Sequence, residues 1–280
     1  MSANRFSATV VQLRPLLWPF VWIHCLTGFV MASGRDALGL SAEAWLRGLL
    51  VTGGVWAVLL SGAATGLASL FRAFPSEEPL DSETQPRPPA GEVLGWTALC
   101  MLLLGLVISP TITWRFFDVY LIGLVVAVFH AVPPVRLGRF RLSSFCIQAA
   151  GYGALTLYAG FTAAGVNRVQ GRMAVLYLSG FAVLFLALRL LFWMESSRLM
   201  PLLYATCVLG AFVCLGLAEV QMGSGWRAAA LGLPPLAAWV ILGLARFLGR
   251  GRQGHVLKPV VALGGWLLTD IAVGLSALLR

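Results

Sequence analysis

Long apolar runs separated by short polar connections dominate the chain, and within the runs hydrophobic and polar positions do not alternate residue by residue. A helical run of about 20 apolar residues spans the hydrocarbon core of a bilayer, and about nine stretches approach that length. They begin with Leu16 to Ala32 and Trp45 to Leu70, continue with Val93 to Ser109, Phe116 to Val132, Phe145 to Ala164 and Ala174 to Met194, and end with Leu199 to Ala218, Ala228 to Phe247 and Pro259 to Leu279. Continuous rather than period-two apolarity predicts helices and not barrel strands, since hydrocarbon leaves no water to satisfy a free backbone N–H or C=O. The expected architecture is all-α: one polytopic transmembrane bundle over residues 1–280, with no tandem repeat and no second domain.

Charge then orients the spans. Alternate connections carry Arg5 and Arg14, then Arg136, Arg139 and Arg141, then Arg198, then Arg246, Arg250, Arg252 and Lys258. The opposite connections carry the thinner set Arg35, Arg115, Arg168, Arg172 and Arg227. The basic side is read as cytoplasmic, which gives an N-in, C-out chain. One sizeable polar loop, Arg72 to Glu92, follows the second span on that side and is rich in Pro, Ser and Glu.

Composition agrees with a lipid solvent: 59% of residues are hydrophobic, 11% are charged, and the mean hydropathy is +0.86. The net charge of +9 does not point to nucleic acid, because the basic residues stand singly between apolar runs instead of forming a patch with interleaved aromatics. Cys25, Cys100, Cys146, Cys207 and Cys214 lie inside apolar runs without C-x-x-C spacing, so they read as packing residues rather than a metal site or disulfide framework. The first run lacks a small-residue cleavage site and is expected to remain as a helix. Tryptophans such as Trp18, Trp22, Trp45, Trp114 and Trp226 fall near span ends, where an interfacial belt sits. In the second span Gly53, Gly54, Gly62 and Gly66 line up small residues, the last two at G-x-x-x-G spacing, for close helix contact.

Ionisable residues inside the runs are the candidates for chemistry. Asp270, in the last span, is an intramembrane acid; it reads as functional by default or as a buried acid paired with an Arg or bonded to Thr269, the second being favoured. His24 and His130 lie in or at the end of apolar runs and His255 in a basic loop, with no metal-ligand spacing on one helix, so satisfied bundle or interface histidines are expected.

Three stretches together resemble the UbiA superfamily of intramembrane prenyltransferases. LRPLLWPFVWIHCLTGFVMA, Leu13 to Ala32, is similar to the Leu-Arg-Pro opening of that family's first helix. PRPPAGE, Pro86 to Glu92, resembles the Arg-Pro-x-x-x-Gly close of its long cytoplasmic loop. VFHAVPPVRLGRF, Val128 to Phe140, resembles its Tyr-x-x-Pro-Pro-x-Arg-Leu-Lys element, with Gly138 in place of the usual Lys. GYGALTLYAGFTAAG, Gly151 to Gly165, is similar to its Gly-rich fifth helix. The resemblance implies a nine-helix horseshoe around a central cavity and an isoprenyl diphosphate held through Mg²⁺ by two Asp-rich motifs.

Here those motifs are nearly absent. The first should fall at SLFRAFPSEE, Ser69 to Glu78, where only Glu77 and Glu78 are acidic, with Asp81 recruitable if the register slips. The second should precede RLMP, Arg198 to Pro201, and holds one carboxylate, Glu195. A hard cation needs several carboxylate oxygens. The resemblance therefore implies a degenerate relative that binds an isoprenoid, quinone or pigment tail, and that can serve as an accessory subunit beside other membrane proteins in a bacterial inner membrane. The alternative is an active prenyltransferase with a reduced Mg²⁺ site at Glu77, Glu78, Asp81 and Glu195. In either case Arg136, Arg189 and Arg198 are the candidates to grip a diphosphate or carboxylate, because guanidinium binds phosphate without metal.

Overall fold

The computed structural model describes residues 18–72, 90–132, 141–164, 171–193, 199–223, 225–248 and 257–279. These residues form nine helices and, among the described residues, no strand. α1 is Trp18–Ser33, followed by a 3-10 turn, Gly34–Gly39. α2 is continuous through three stretches: α-helical Ala42–Leu49, π-helical Leu50–Gly62 and α-helical Ala63–Arg72. α3 is Ala90–Ile112 and α4 is Trp114–Ala131. α5 also carries a π-helical middle, Ala149–Leu155, between Arg141–Gln148 and Thr156–Ala163. α6 is Gly171–Trp193, α7 Met200–Gln221, α8 Gly225–Leu248 and α9 Leu257–Leu278. Each lies within a few residues of the apolar run that predicts it.

Five of these helices contain a stretch long and apolar enough to cross a membrane unaided, namely Ala42–Ala68, Val93–Ile112, Trp114–Ala131, Gly171–Leu191 and Met200–Gln221. The described apolar stretches Trp18–Ser33, Ala230–Ala245 and Ala262–Leu278 are shorter. The chain is an integral membrane protein.

Local chemistry sets several helix ends. Thr113 accepts a hydrogen bond from the Phe116 amide and Ser41 from the Ala44 amide, each satisfying a donor that the first turn leaves open. α7 ends before Gly223, whose φ of +80° is the left-handed geometry that glycine adopts without Cβ strain.

Consecutive helices pack side by side, and α1 closes the arrangement by touching α2, α5 and α9. Two apolar clusters result. One joins α1 with the later helices through Met31, Leu157, Phe181, Tyr204, Trp239 and Trp266. The other joins α1 with the earlier helices through Cys25, Trp56, Leu102, Phe116 and Tyr120.

The closest backbone approach is between α1 and α5. A Cβ on Gly28 would strike the Leu157 carbonyl, and a Cβ on Gly160 would strike the carbonyl of Cys25. Gly153 brings α5 against α6 in the same way, since a Cβ there would lie 2.7 Å from the Phe181 carbonyl oxygen. The expected packing glycine Gly62 meets only side chains, Met101 and Trp18, so the tight crossings belong to other glycines. Trp114 is exposed as a belt residue should be, but Trp56, Trp239 and Trp266 are buried in the bundle. There Trp56 donates to Thr156 and Trp239 to Thr269, satisfying indole N–H groups that hydrocarbon could not.

Candidate functional site

At mid-span, four helices bring one polar pair and a set of aromatic rings together. His24 of α1 is 1% exposed and Asp270 of α9 is fully buried. The His24 Nδ1 and Asp270 Oδ1 atoms are 2.7 Å apart, and His24 Nε2 is 2.9 Å from the Gly153 carbonyl of α5. Thr27 and Trp266 also face the carboxylate. By rise, His24 lies about 9 Å along α1 from Trp18, and Asp270 about 12 Å from the last residue of α9, which places both well inside the bundle. Asp270 is thus a buried paired acid, as the favoured reading holds, but its partner is His24 and neither an Arg nor Thr269. The Thr269 hydroxyl instead donates to the Gly265 carbonyl and receives Trp239.

Around His24 the rings run toward the end of the bundle where α6 meets the connection to α7. The Phe181 ring lies 4.6 Å from His24, and Trp266 lies 5.0 Å from it. Trp266 contacts both Phe181 and Phe185 of α6, with centroids 5.7 and 5.9 Å away. Phe185 in turn stacks on Tyr152 of α5 at 5.7 Å and 16°. One helical turn further, the Arg189 guanidinium carbon sits 5.3 Å over the Phe145 ring of α5. Phe181, Phe185 and Arg189 are spaced i, i+4, i+8, so they form one stripe about 12 Å long on α6. Phe181 and Trp266 are buried, whereas Phe145, Tyr152, Phe185 and Arg189 are half-buried. The result is an aromatic wall with a cation at its outer end and a sealed polar floor.

A second buried carboxylate, Glu219 of α7, lies toward the opposite end. Its two oxygens accept hydrogen bonds from the Tyr177 hydroxyl of α6 at 2.7 Å and the Ser276 hydroxyl of α9 at 2.5 Å. The sequence reading ends the seventh span at Ala218 and so passes over it. A buried acid just inside the last turn of an apolar helix is the signal that could have found it.

Of the predicted site residues, Arg189 is placed as described, with the cation–π contact. Glu77, Glu78, Asp81, Arg136, Glu195 and Arg198 lie outside the described residues. His130 is half-buried at the end of α4, and His255 is outside the described residues. Among the described residues no group of three His, Cys, Asp or Glu side chains converges as a metal site would require. Among the described residues, the helix ends flanking the α2–α3 and α6–α7 connections carry Leu70 and Arg189, one apolar and one cationic. Neither side chain is a hard-oxygen donor of the kind Mg²⁺ takes.

No protein-family model matches the sequence, and no curated protein sequence does. Similarity appears at the level of structure. The chain superposes on a UbiA homolog from Archaeoglobus fulgidus bound to Cd²⁺ with a TM-score of 0.65 at 14% identity, covering 97% of this chain and 99% of that one. A digeranylgeranylglyceryl phosphate synthase matches with a TM-score of 0.66 at 12% identity, over 99% and 100% of the two chains. The Archaeoglobus fulgidus homolog bound to DMAPP and Mg²⁺ matches with a TM-score of 0.59 at 14% identity, over 96% and 98%.

Proposed function

On the UbiA-superfamily fold that this chain adopts, we propose that it holds an isoprenoid, quinone or pigment tail along its aromatic wall without transferring an isoprenyl group from a diphosphate, and that it serves as an accessory subunit of a membrane complex. Structural neighbours have been captured with DMAPP and with GPP, each together with Mg²⁺, so the scaffold is one that can receive short isoprenoid diphosphates. What carries the reading is the contrast between the wall and its outer end. Rings from α5, α6 and α9 supply the apolar surface that a tail needs, while the stretches that would hold Mg²⁺ offer Glu77, Glu78, Asp81 and Glu195 in place of two Asp-rich motifs. Departure of a diphosphate develops charge that only hard cations in a carboxylate cradle offset well. Arg189 can still hold an anionic or carbonyl head group by its guanidinium.

The same reading puts the chain in a bacterial inner membrane, with the connections carrying Arg136, Arg198 and Arg250 in the cytoplasm; the basic-residue bias supports that orientation.

One preparation tests the proposal. The protein is purified in mild detergent, co-purifying lipids and proteins are identified by mass spectrometry, and the same sample is assayed with geranylgeranyl diphosphate and Mg²⁺ for diphosphate release. A bound isoprenoid or stoichiometric partner without release is the expected result. Release that requires Mg²⁺ and stops with EDTA would establish the active alternative with its reduced metal site.

A further inference from the structure

We propose that His24 and Asp270 form a buried one-proton site that clasps the first helix of the bundle to the last. A backbone carbonyl can only accept, so the 2.9 Å contact with Gly153 requires that His24 Nε2 carry a hydrogen and donate it. Nδ1 and Oδ1 are then left facing each other at 2.7 Å. Without a hydrogen between them, two lone pairs would meet at that distance. One proton therefore lies between them. If it sits on Nδ1, the pair is imidazolium and carboxylate; if it sits on Oδ1, the pair is imidazole and carboxylic acid. Either way the sum of charges is zero.

Neutrality matters because of where the pair lies. Removing the proton leaves a net negative charge inside an apolar bundle, and adding another leaves a net positive one; both are costly in hydrocarbon. The groups packed around the pair are Thr27 of α1, Trp266 of α9, Gly153 of α5 and Phe181 of α6, none of which is charged. While it holds its one proton the pair ties α1, α5 and α9 together, shutting the α1–α9 seam at mid-span. This holds whether or not the wall carries a lipid.

The chain has three histidines, so ¹⁵N-histidine labelling of the whole protein in detergent gives three pairs of ring signals. His130→Gln and His255→Gln variants assign theirs and leave His24 by elimination. The expected His24 spectrum shows Nε2 protonated and Nδ1 in a strong hydrogen bond. A bare Nε2, or an Nδ1 without a hydrogen bond, overturns the proposal. Two variants then test the clasp by hydrogen exchange. In Asp270→Asn the amide can donate to Nδ1 with no shared proton needed, so exchange in α1 and α9 stays within roughly twofold of wild type. In Asp270→Leu it rises roughly tenfold or more. Equal exchange in both variants would falsify the clasp, and if Asp270→Leu does not fold, the ¹⁵N spectrum alone decides.

Discussion

Asp270 Oδ1 meets His24 Nδ1 at 2.7 Å across 246 positions of sequence, so the last helix is fastened to the first by a polar contact inside an apolar bundle. Breaking one half strands the other, which for a buried pair typically costs about 3–5 kcal/mol, whereas replacing both with apolar groups is often close to neutral. His24→Leu and Asp270→Leu are each expected to lower stability by about 3 kcal/mol, and the double variant to be more stable than either single one. Equilibrium unfolding in mixed micelles measures this. Additive losses in the double variant would show that the two side chains do not act on each other.

The α1–α5 crossing makes a sharper steric prediction. Gly28 and Gly160 face backbone rather than flexible side chains, so neither neighbour can rotate aside. Gly160→Ala should cost at least about 2–3 kcal/mol, as overpacking does in well-packed interiors. Gly210→Ala on α7, where nothing lies within 4 Å of the added methyl, should be neutral or gain up to about 1 kcal/mol from helix propensity. Thermal unfolding of the two variants side by side tells them apart.

Glu219 gives a third. Removing the Tyr177 hydroxyl takes a 2.7 Å donor from a buried carboxylate. Tyr177→Phe is expected to destabilise by about 1.5–3 kcal/mol, in the range for hydrogen bonds to charged groups. Ser276→Ala should behave alike because its hydroxyl serves the other oxygen. No loss in either variant would mean that the α6–α7–α9 contact is held by packing alone.

Much of the fold is legible in the sequence because lipid leaves few choices. Apolar runs must become helices, and all nine do so within a few residues of their predicted limits. Asp270 stands out for the same reason, as an acid in a run that should have none. Its partner does not, since nothing local to His24 records that α1 returns to α9; only the tertiary packing brings positions 24 and 270 together. Phe181, Phe185 and Arg189 lie on a single helical stripe in sequence, yet aromatic residues are common in spans. The stripe gains meaning only when Tyr152, Phe145 and Trp266 arrive from other helices. The glycines are legible only in part: G-x-x-x-G spacing points to Gly62, which packs closely on Met101 and Trp18, while Gly28 and Gly160, at the tightest backbone crossing, sit on separate helices and share no local pattern.

Removal or addition of metal should matter little. A protein that binds Mg²⁺ in the native state alone gains about 2.7 kcal/mol at a hundredfold excess over Kd, enough to raise the melting temperature by several degrees. With the donor set carried here, millimolar Mg²⁺ or EDTA is expected to leave the melting temperature unchanged to within about a degree. A shift of several degrees, lost in Glu78→Gln or Glu195→Gln, would restore those residues as ligands.

The wall itself is tested by shortening it at Phe185, the ring that touches both Tyr152 and Trp266. Phe185 is half-buried, so Phe185→Ala removes contact surface without opening the sealed core at Phe181. Burying one aromatic side chain against a tail contributes about 1.5–3 kcal/mol, which corresponds to roughly a ten- to hundredfold loss in lipid retention after purification. Val175, exposed on the same helix, offers the control: Val175→Ala should retain as much lipid as wild type. Quantitative mass spectrometry of lipid per protein distinguishes the cases. Equal retention in the Phe185 variant would place the bound lipid elsewhere, on the outer surface of the bundle rather than along α5, α6 and α9.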